Sequence, residues 1–309
     1  MFTIKRQFSF IKHRRLFYLI SIGLILFGII IGMVRGYNYG IDFTGGTMIH
    51  MDMGREVSVG ELNSTLRANG IDADIVHAGD NNKEVIIKTV QSLDTDAREK
   101  VLGAIFKQYD LNEDSVLAID QFGPSIGDML KKNAVKAVLI ASVGMLIYII
   151  VRFEWKFGVA AITAVVHDVL MMLSFYGLFH ITINNPFIAA VLTLVGYSIN
   201  DTIVVFDRIR ENLNLMKKNK LEELIDTSIN QTLVRSLMTS VTTVVAIIPL
   251  FILGGETIRA FTLPLIVGIA AGAASSIFIA SPVYYELCLL SGGPKYKGKK
   301  KKIRGRERD

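Results

Sequence analysis

Cysteine is nearly absent from this chain: Cys288 stands alone among 309 residues. A single thiol cannot close an intramolecular disulfide, and cysteine-rich zinc or iron–sulfur sites have no ligands. Proline is scarce too, at six residues. No stretch fits GxxxxGK[ST], which removes the recognisable P-loop for ATP. Neither a GxGD motif nor a nucleophile-and-base motif is present, which argues against an intramembrane protease. Charge is thin: Asp, Glu, Lys and Arg make up 20% of the chain, against 51% for the hydrophobic set. A soluble domain carries roughly a quarter charged residues.

What the chain has instead is long apolar runs. Six reach the ~20 residues needed to cross a ~30 Å hydrocarbon core: residues 16–34, 134–151, 157–178, 187–206, 234–253 and 260–287. The first is followed by Arg35-Gly36-Tyr37 rather than an Ala-x-Ala cleavage site, so it reads as a retained helix and not a signal peptide. Lys5, Arg6, Lys12, Arg14 and Arg15 precede it, and Arg152 and Lys156 flank the second connection. Arg208, Arg210, Lys217, Lys218 and Lys220 fall in the fourth connection, and residues 295–308 hold nine more basic residues. With six spans all four segments share one side, so the positive-inside rule makes both termini cytoplasmic. Residues 1–15, the loop 207–233 and the tail 288–309 are then cytoplasmic. The basic clusters suit topology and attraction to anionic lipid, at ~1 kcal/mol per basic residue; no nucleic-acid partner is expected.

One polar segment, residues 35–133, lies outside the membrane on the other side. Residues 35–136 carry 16 acidic against 11 basic side chains. Residues 47–53 alternate with apolar Met48, Met51 and Met53, as a strand does. Ser58-Val59-Gly60-Glu61 has the form of a capping box, and Asn69-Gly70 that of a helix stop. Two strands follow, at 75–76 and 85–90 around the turn 79–82, then a helix at 94–109 and a strand at 115–122. Strand–helix–strand–strand–helix–strand is the split βαβ, ferredoxin-like arrangement. The expected fold is an α-helical polytopic membrane protein with six transmembrane helices and one extracytoplasmic α+β domain, which serves to bind or grip.

Ionisable residues inside a span cost ~2.5–3.5 kcal/mol each on insertion scales and mark function or a tight partner. His167 and Asp168 fall near the middle of the third span. Asp201, beside Asn200, sits five residues before the end of the fourth, so ~8 Å deep. Arg235 opens the fifth and shares a helical face with Thr239, Thr242 and Thr243. Low dielectric favours a neutral carboxyl, and an approaching arginine favours the ionised one. Asp201 with Arg235 is therefore a candidate two-state proton switch, with Asp168 and His167 continuing the route. A static ion pair that fixes helix packing is the alternative. Gly28-x-x-x-Gly32 and Gly268-x-x-x-Gly272 permit close helix contact, Pro249, Pro264 and Pro282 would kink their spans, and residues 221–232 read as a helix lying on the membrane surface.

Four motifs in order carry a resemblance: Gly40-Ile41-Asp42-Phe43-Thr44-Gly45-Gly46-Thr47 after the first span, Gly123-Pro124-Ser125-Ile126-Gly127 before the second, His167-Asp168 in the third, and Gly196-Tyr197-Ser198-Ile199-Asn200-Asp201 running on to Asp207-Arg208-Ile209-Arg210-Glu211-Asn212. In these the chain resembles the SecF family of bacterial protein-export membrane subunits. The resemblance implies a non-enzymatic translocase subunit of the cytoplasmic membrane. It implies a SecD-like partner, association with the SecYEG channel, unfolded exported polypeptide as substrate, and protons as coupling ion with no other cofactor. It places Asp201 as the relay aspartate, Arg235 as its partner, and Asp168 in a motif of less defined role. Gly45-Gly46 either permit the backbone geometry where span meets domain or form an ordinary turn. Two rivals remain open: a free-standing proton-coupled small-molecule exporter, which needs an apolar pocket in the outer domain, and a non-conducting scaffold.

Overall fold

The computed structural model describes residues 8–79, 82–215 and 221–292. The basic residues at 1–7, 217–220 and 295–308 and the centre of the turn at 79–82 lie outside the described residues.

The small domain is built from β1 (Gly46–Asp52), α3 (Val59–Ala68), β2 (Asp74–Ala78), β3 (Glu84–Thr89), α4 (Thr95–Tyr109) and β4 (Val116–Phe122). Its sheet has the order β2-β3-β1-β4 with every neighbouring pair antiparallel. This is the strand order of a split βαβ unit, as the element sequence requires. Side chains alternate across a strand, and here Ile49, Met51 and Met53 enter the core with Leu62, Ile87 and Ile105. Met48, expected on that stripe, has the opposite parity and is only partly buried. Ser58 precedes α3 but its hydroxyl makes no capping bond. Asp94 does cap α4, accepting from the Ala97 amide at 2.8 Å. Gly70 takes φ +77° at the end of α3, a left-handed stop only glycine reaches cheaply.

Among the described residues, six helices are long and apolar enough to cross a membrane: Ile11–Arg35, Ser125–Arg152, Trp155–Phe179, Asn185–Leu215, Leu221–Leu253 and Glu256–Leu290. They contain α1 (Arg14–Arg35), α5 (Pro124–Arg152), α6 (Trp155–Phe179), α7 (Asn185–Leu215), α8 (Leu221–Leu253), α9 (Glu256–Ser275), a π-helical stretch Ser276–Ala280, and α10 (Ser281–Leu290). The helices α6, α7 and α9 form the centre, whereas α5 and α8 bury little of their apolar surface against this chain. The small-residue motifs work within the chain. Gly28 and Gly32 let α1 lie against Ser174 and Gly177 of α6, and Gly268 and Gly272 lie against Leu194 and Ser198 of α7.

The segment 207–233 differs from its expected form, a connecting loop with a helix on the membrane surface. Residues 207–215 extend α7, and 221–233 are the first turns of α8. Leu224, Ile225 and Ile229 are fully buried against Phe206 and Ile209. The apolar stripe that suggested a surface helix is a helix-to-helix seam, since lipid and protein interiors demand the same periodicity. Asp201 keeps its place five residues before the end of the apolar run at Phe206, ~8 Å along the axis, and its helix continues through Leu215.

Between domain and bundle lies α2 (Ile41–Thr44). The Gly40 amide donates to the Ile183 carbonyl at 2.8 Å, and Asp42 accepts from the Asn185 amide, also at 2.8 Å. Phe43 inserts among Met172, Tyr176 and Phe187, and Gly127 packs on the Phe43 backbone. Gly45 and Gly46 then turn the chain into β1 at φ +79° and +144°. The pair is thus required by backbone geometry, which L side chains rarely adopt. A β-carbon at Gly46 would also overlap the Thr89 carbonyl oxygen. Gly46→Ala is expected to cost at least ~1–3 kcal/mol from strain alone, read as a lower thermal midpoint and faster proteolysis of the full-length protein.

Candidate functional site

Where α6, α7, α8 and the α9–π junction meet, two carboxylates are buried in an apolar bundle: Asp168 is 1% exposed and Asp201 6%. Asp168 Oδ2 accepts from Ser198 Oγ at 2.5 Å and from Ser275 Oγ at 2.9 Å. Its Oδ1 lies 3.0 Å from His167 Nδ1. The other ring nitrogen, Nε2, meets Ser21 of α1. Asp201 Oδ1 accepts from Ser236 Oγ at 2.6 Å, and Oδ2 from Ser276 Oγ at 3.1 Å. Each carboxylate is therefore held by two serine hydroxyls, one on a neighbouring helix and one at the α9–π junction. Because Ser275 and Ser276 are consecutive, one peptide unit joins the two sites.

Local sequence explains the positions. Ser198 and Asp201 are three apart on α7, so both lie on one face. On α8 the buried polar stripe is Ser228, Thr232, Ser236 and Ser240, spaced by four. The helix is π-wound from Ser276 to Ala280, and the Ser281 hydroxyl bonds back to the Ser276 carbonyl at 3.0 Å. Such π segments concentrate at functional sites because they re-aim side chains within an otherwise regular helix.

The arrangement departs from the expected switch in one respect. Arg235 does not pair with Asp201: it is exposed, and among the described residues no basic side chain forms an ion pair with Asp201. Adjacent residues on a helix point ~100° apart, so with Ser236 turned inward Arg235 faces the recess at the bundle's end. Thr239 and Thr242 are exposed on α8, and only Thr243 reaches another helix, through the Tyr197 hydroxyl at 3.2 Å. His167 and Asp168, by contrast, are in direct contact as expected. Asn200 is exposed on α7, and Asp207 and Arg208 line the same recess as Arg235. Gly40, Asp42, Phe43, Gly45 and Gly46 form the domain-to-bundle joint and make no hydrogen bond to either carboxylate. Sequence reading missed all four serines around the carboxylates. A signal existed in the four-residue spacing of Ser228, Thr232, Ser236 and Ser240, and in two adjacent serines inside an apolar run.

One further link crosses the joint. Lys88 of β3 lies 3.7 Å from Glu256, the first residue of α9. The helix that holds both carboxylates at its far end therefore touches the sheet at its near end.

Comparison with known proteins fits this geometry. The family "Protein export membrane protein SecD/SecF, C-terminal" matches residues 101–289, and "SecD/SecF GG Motif" matches residues 31–51. The protein translocase subunit SecF of Haemophilus influenzae is 37% identical over 284 residues, covering 91% of this chain and 86% of the relative. The protein translocase subunit SecDF of Thermus thermophilus is 40% identical over 296 residues, covering 91% of this chain but 38% of that longer protein. The crystal structure of SecDF, described as a translocon-associated membrane protein, superposes with a TM-score of 0.80 at 39% identity, over 93% of this chain and 39% of the other. A super-membrane-facing form of SecDF gives 0.70 at 37% identity over 94% of this chain and 40% of that one.

Proposed function

Because the chain belongs to the SecF family of multi-pass membrane proteins, we propose that it is the SecF subunit of a protein-export complex in the bacterial cytoplasmic membrane, acting with SecD to turn a proton gradient into late-stage movement of exported polypeptide. The observation that carries the mechanism is the pair of buried carboxylates joined through Ser275 and Ser276. The SecD partner is supported by the fused SecDF relative, of which this chain matches just over a third. It is supported too by the unburied faces of α5 and α8 and the exposed Asn200. Association with the SecYEG channel belongs to the same reading, as does an orientation with both termini in the cytoplasm.

In this mechanism Asp201 is the group that changes charge. It is bonded to Ser236 and Ser276, with Arg235 turned away. Rotation of α8 by one residue would exchange Ser236 for Arg235 beside the carboxylate, favouring its ionised form. Asp168, His167 and Ser21 extend the polar path toward α1. A proton falling through ~150 mV releases ~3.5 kcal/mol, enough to bias a conformational equilibrium a few hundred-fold. That bias reaches the sheet domain along α9 and through the Lys88–Glu256 contact. The domain is suited to gripping extended chain: β4 is an edge strand with half-exposed Leu117, beside a groove of about 530 Å³ rimmed by Arg98, Glu99 and Glu113. The groove's floor is apolar, formed by Leu102, Phe106, Val116 and Ile119, and an apolar floor with a charged rim beside an edge strand suits an extended polypeptide. The subunit carries out transport and not catalysis, with protons as its only coupling agent.

The test compares precursor accumulation in cells with and without the chain, before and after a protonophore dissipates the gradient. The export increment due to the chain is expected to disappear with the gradient. An increment that survives sinks the proton mechanism in favour of the scaffold; no increment at any gradient sinks the export role.

A further inference from the structure

Four arginines converge on one recess at the end of the bundle remote from the sheet. Arg152 closes α5, Arg208 and Arg210 lie on α7, and Arg235 lies on α8. With Asp207 and Glu211 they line a cavity of about 620 Å³. Both carboxylates are already engaged: Glu211 takes Arg208 at 2.5 Å, and Asp207 takes Arg210 at 2.9 Å. The guanidinium groups of Arg152 and Arg235 have no carboxylate partner among the described residues. Arg152 and Arg210 both stand over the Phe153 ring, 5.5 and 4.9 Å from its centroid. Arg210 also donates to the Arg152 carbonyl at 3.3 Å. These contacts hold like charges close together, an arrangement that repels unless an anion is shared between them.

The depth of the recess points to the source of that anion. The apolar run of α7 stops at Phe206, and that of α8 starts at Val234, so Asp207 and Arg235 mark the edge of the hydrocarbon. Trp155, 46% exposed, sits three residues from Arg152 and is a residue type that settles at headgroup level. Deeper in the bundle, Ile147 and Val151 of α5 and Leu237 and Val241 of α8 are exposed apolar surface, along which acyl chains can run. Basic pockets between helices on the cytoplasmic side are suited to acidic headgroups.

We propose that this recess is a stereospecific site for a phosphodiester anion, supplied by an anionic phospholipid headgroup, with Arg152 and Arg235 as bidentate forks and Arg208 and Arg210 completing the positive field. It is distinct from diffuse attraction at the basic termini, and the existence of the site does not rest on Asp201 being a proton relay. The recess is also where α8 would turn to bring Arg235 toward Asp201, so a bound headgroup holds Arg235 outward.

Native mass spectrometry tests it on the full chain purified with its SecD partner and exposed to equal amounts of phosphatidylglycerol and phosphatidylcholine. Phosphatidylglycerol is expected to be retained in about tenfold preference: both lipids offer a phosphodiester to the arginines, but the choline cation of phosphatidylcholine is repelled by them. Arg152→Gln combined with Arg235→Gln removes both forks and brings the ratio near unity. Arg152→Lys, which keeps the charge but loses the fork, gives an intermediate ratio and separates site loss from misfolding. Removing residues 293–309 leaves the preference in place. A wild-type ratio near unity, a preference that survives the double substitution, or one lost with the tail alone overturns the site. Displacement of the lipid by inorganic phosphate at matching concentration overturns the lipid assignment in favour of a soluble anion.

Discussion

Cells whose only copy carries Asp201→Asn are expected to accumulate precursor, with the chain-dependent export increment falling by up to a few hundred-fold, the bias that one proton supplies. The substitution is nearly isosteric. The amide oxygen of asparagine can still accept from Ser236 or Ser276, the two hydroxyls that hold the aspartate. Packing of α7 against α8 and α9 is therefore retained, and removing an ionisable group from the bundle lowers the insertion cost rather than raising it. Subunit level and co-purification of the SecD partner should match wild type. What is lost is the capacity to exist in two charge states. Asp201→Glu keeps that capacity at the expense of one extra methylene, so partial export is expected. Normal export with Asp201→Asn would remove the relay through this residue and leave the scaffold as the better reading.

The parts of this structure legible in the sequence are those set by one-dimensional periodicity. Apolar runs locate six spans, and the order of elements leads directly to the β2-β3-β1-β4 sheet. The glycine pair at 45–46 leaves two readings open, a special backbone geometry or an ordinary turn, and its positive φ angles emerge only once β1 and α2 are placed. Residues 221–233 were misread because an apolar stripe has the same spacing whether it faces lipid or Phe206 and Ile209. The site was half legible. Asp168, His167 and Asp201 announce themselves by the cost of charge in hydrocarbon. Arg235 does so too, yet one helical step turns it out of the site and puts Ser236 in. Serine costs little inside a span and so carries no comparable signal. Its role here depends on which helices meet, a tertiary fact that no single helix encodes.

Ser275→Ala and Ser276→Ala are each expected to lower the export increment by about tenfold, and the double variant by little more than either alone. Each hydroxyl has one proton and two acceptors. Ser275 Oγ reaches Asp168 at 2.9 Å and the Gly272 carbonyl at 3.2 Å; Ser276 Oγ reaches Asp201 at 3.1 Å and the Ala273 carbonyl at 3.0 Å. When a carboxylate is ionised, the charge-assisted bond wins, at roughly 1.5–3 kcal/mol. When it takes a proton that advantage is lost, and the hydroxyl is free to bond back to its own helix. Such back-bonding bends helices, and it would do so where α9 already passes into its π turn. On the proposed mechanism, protonation at either site would thus change the course of α9, whose other end meets Lys88. Because both serines act on this one bend, removing the second after the first should have little left to remove. A double variant that loses the product of the two single effects would show two independent sites, and the joining role of α9 would fall. Unchanged export in both single variants would remove the hydroxyls from the mechanism altogether.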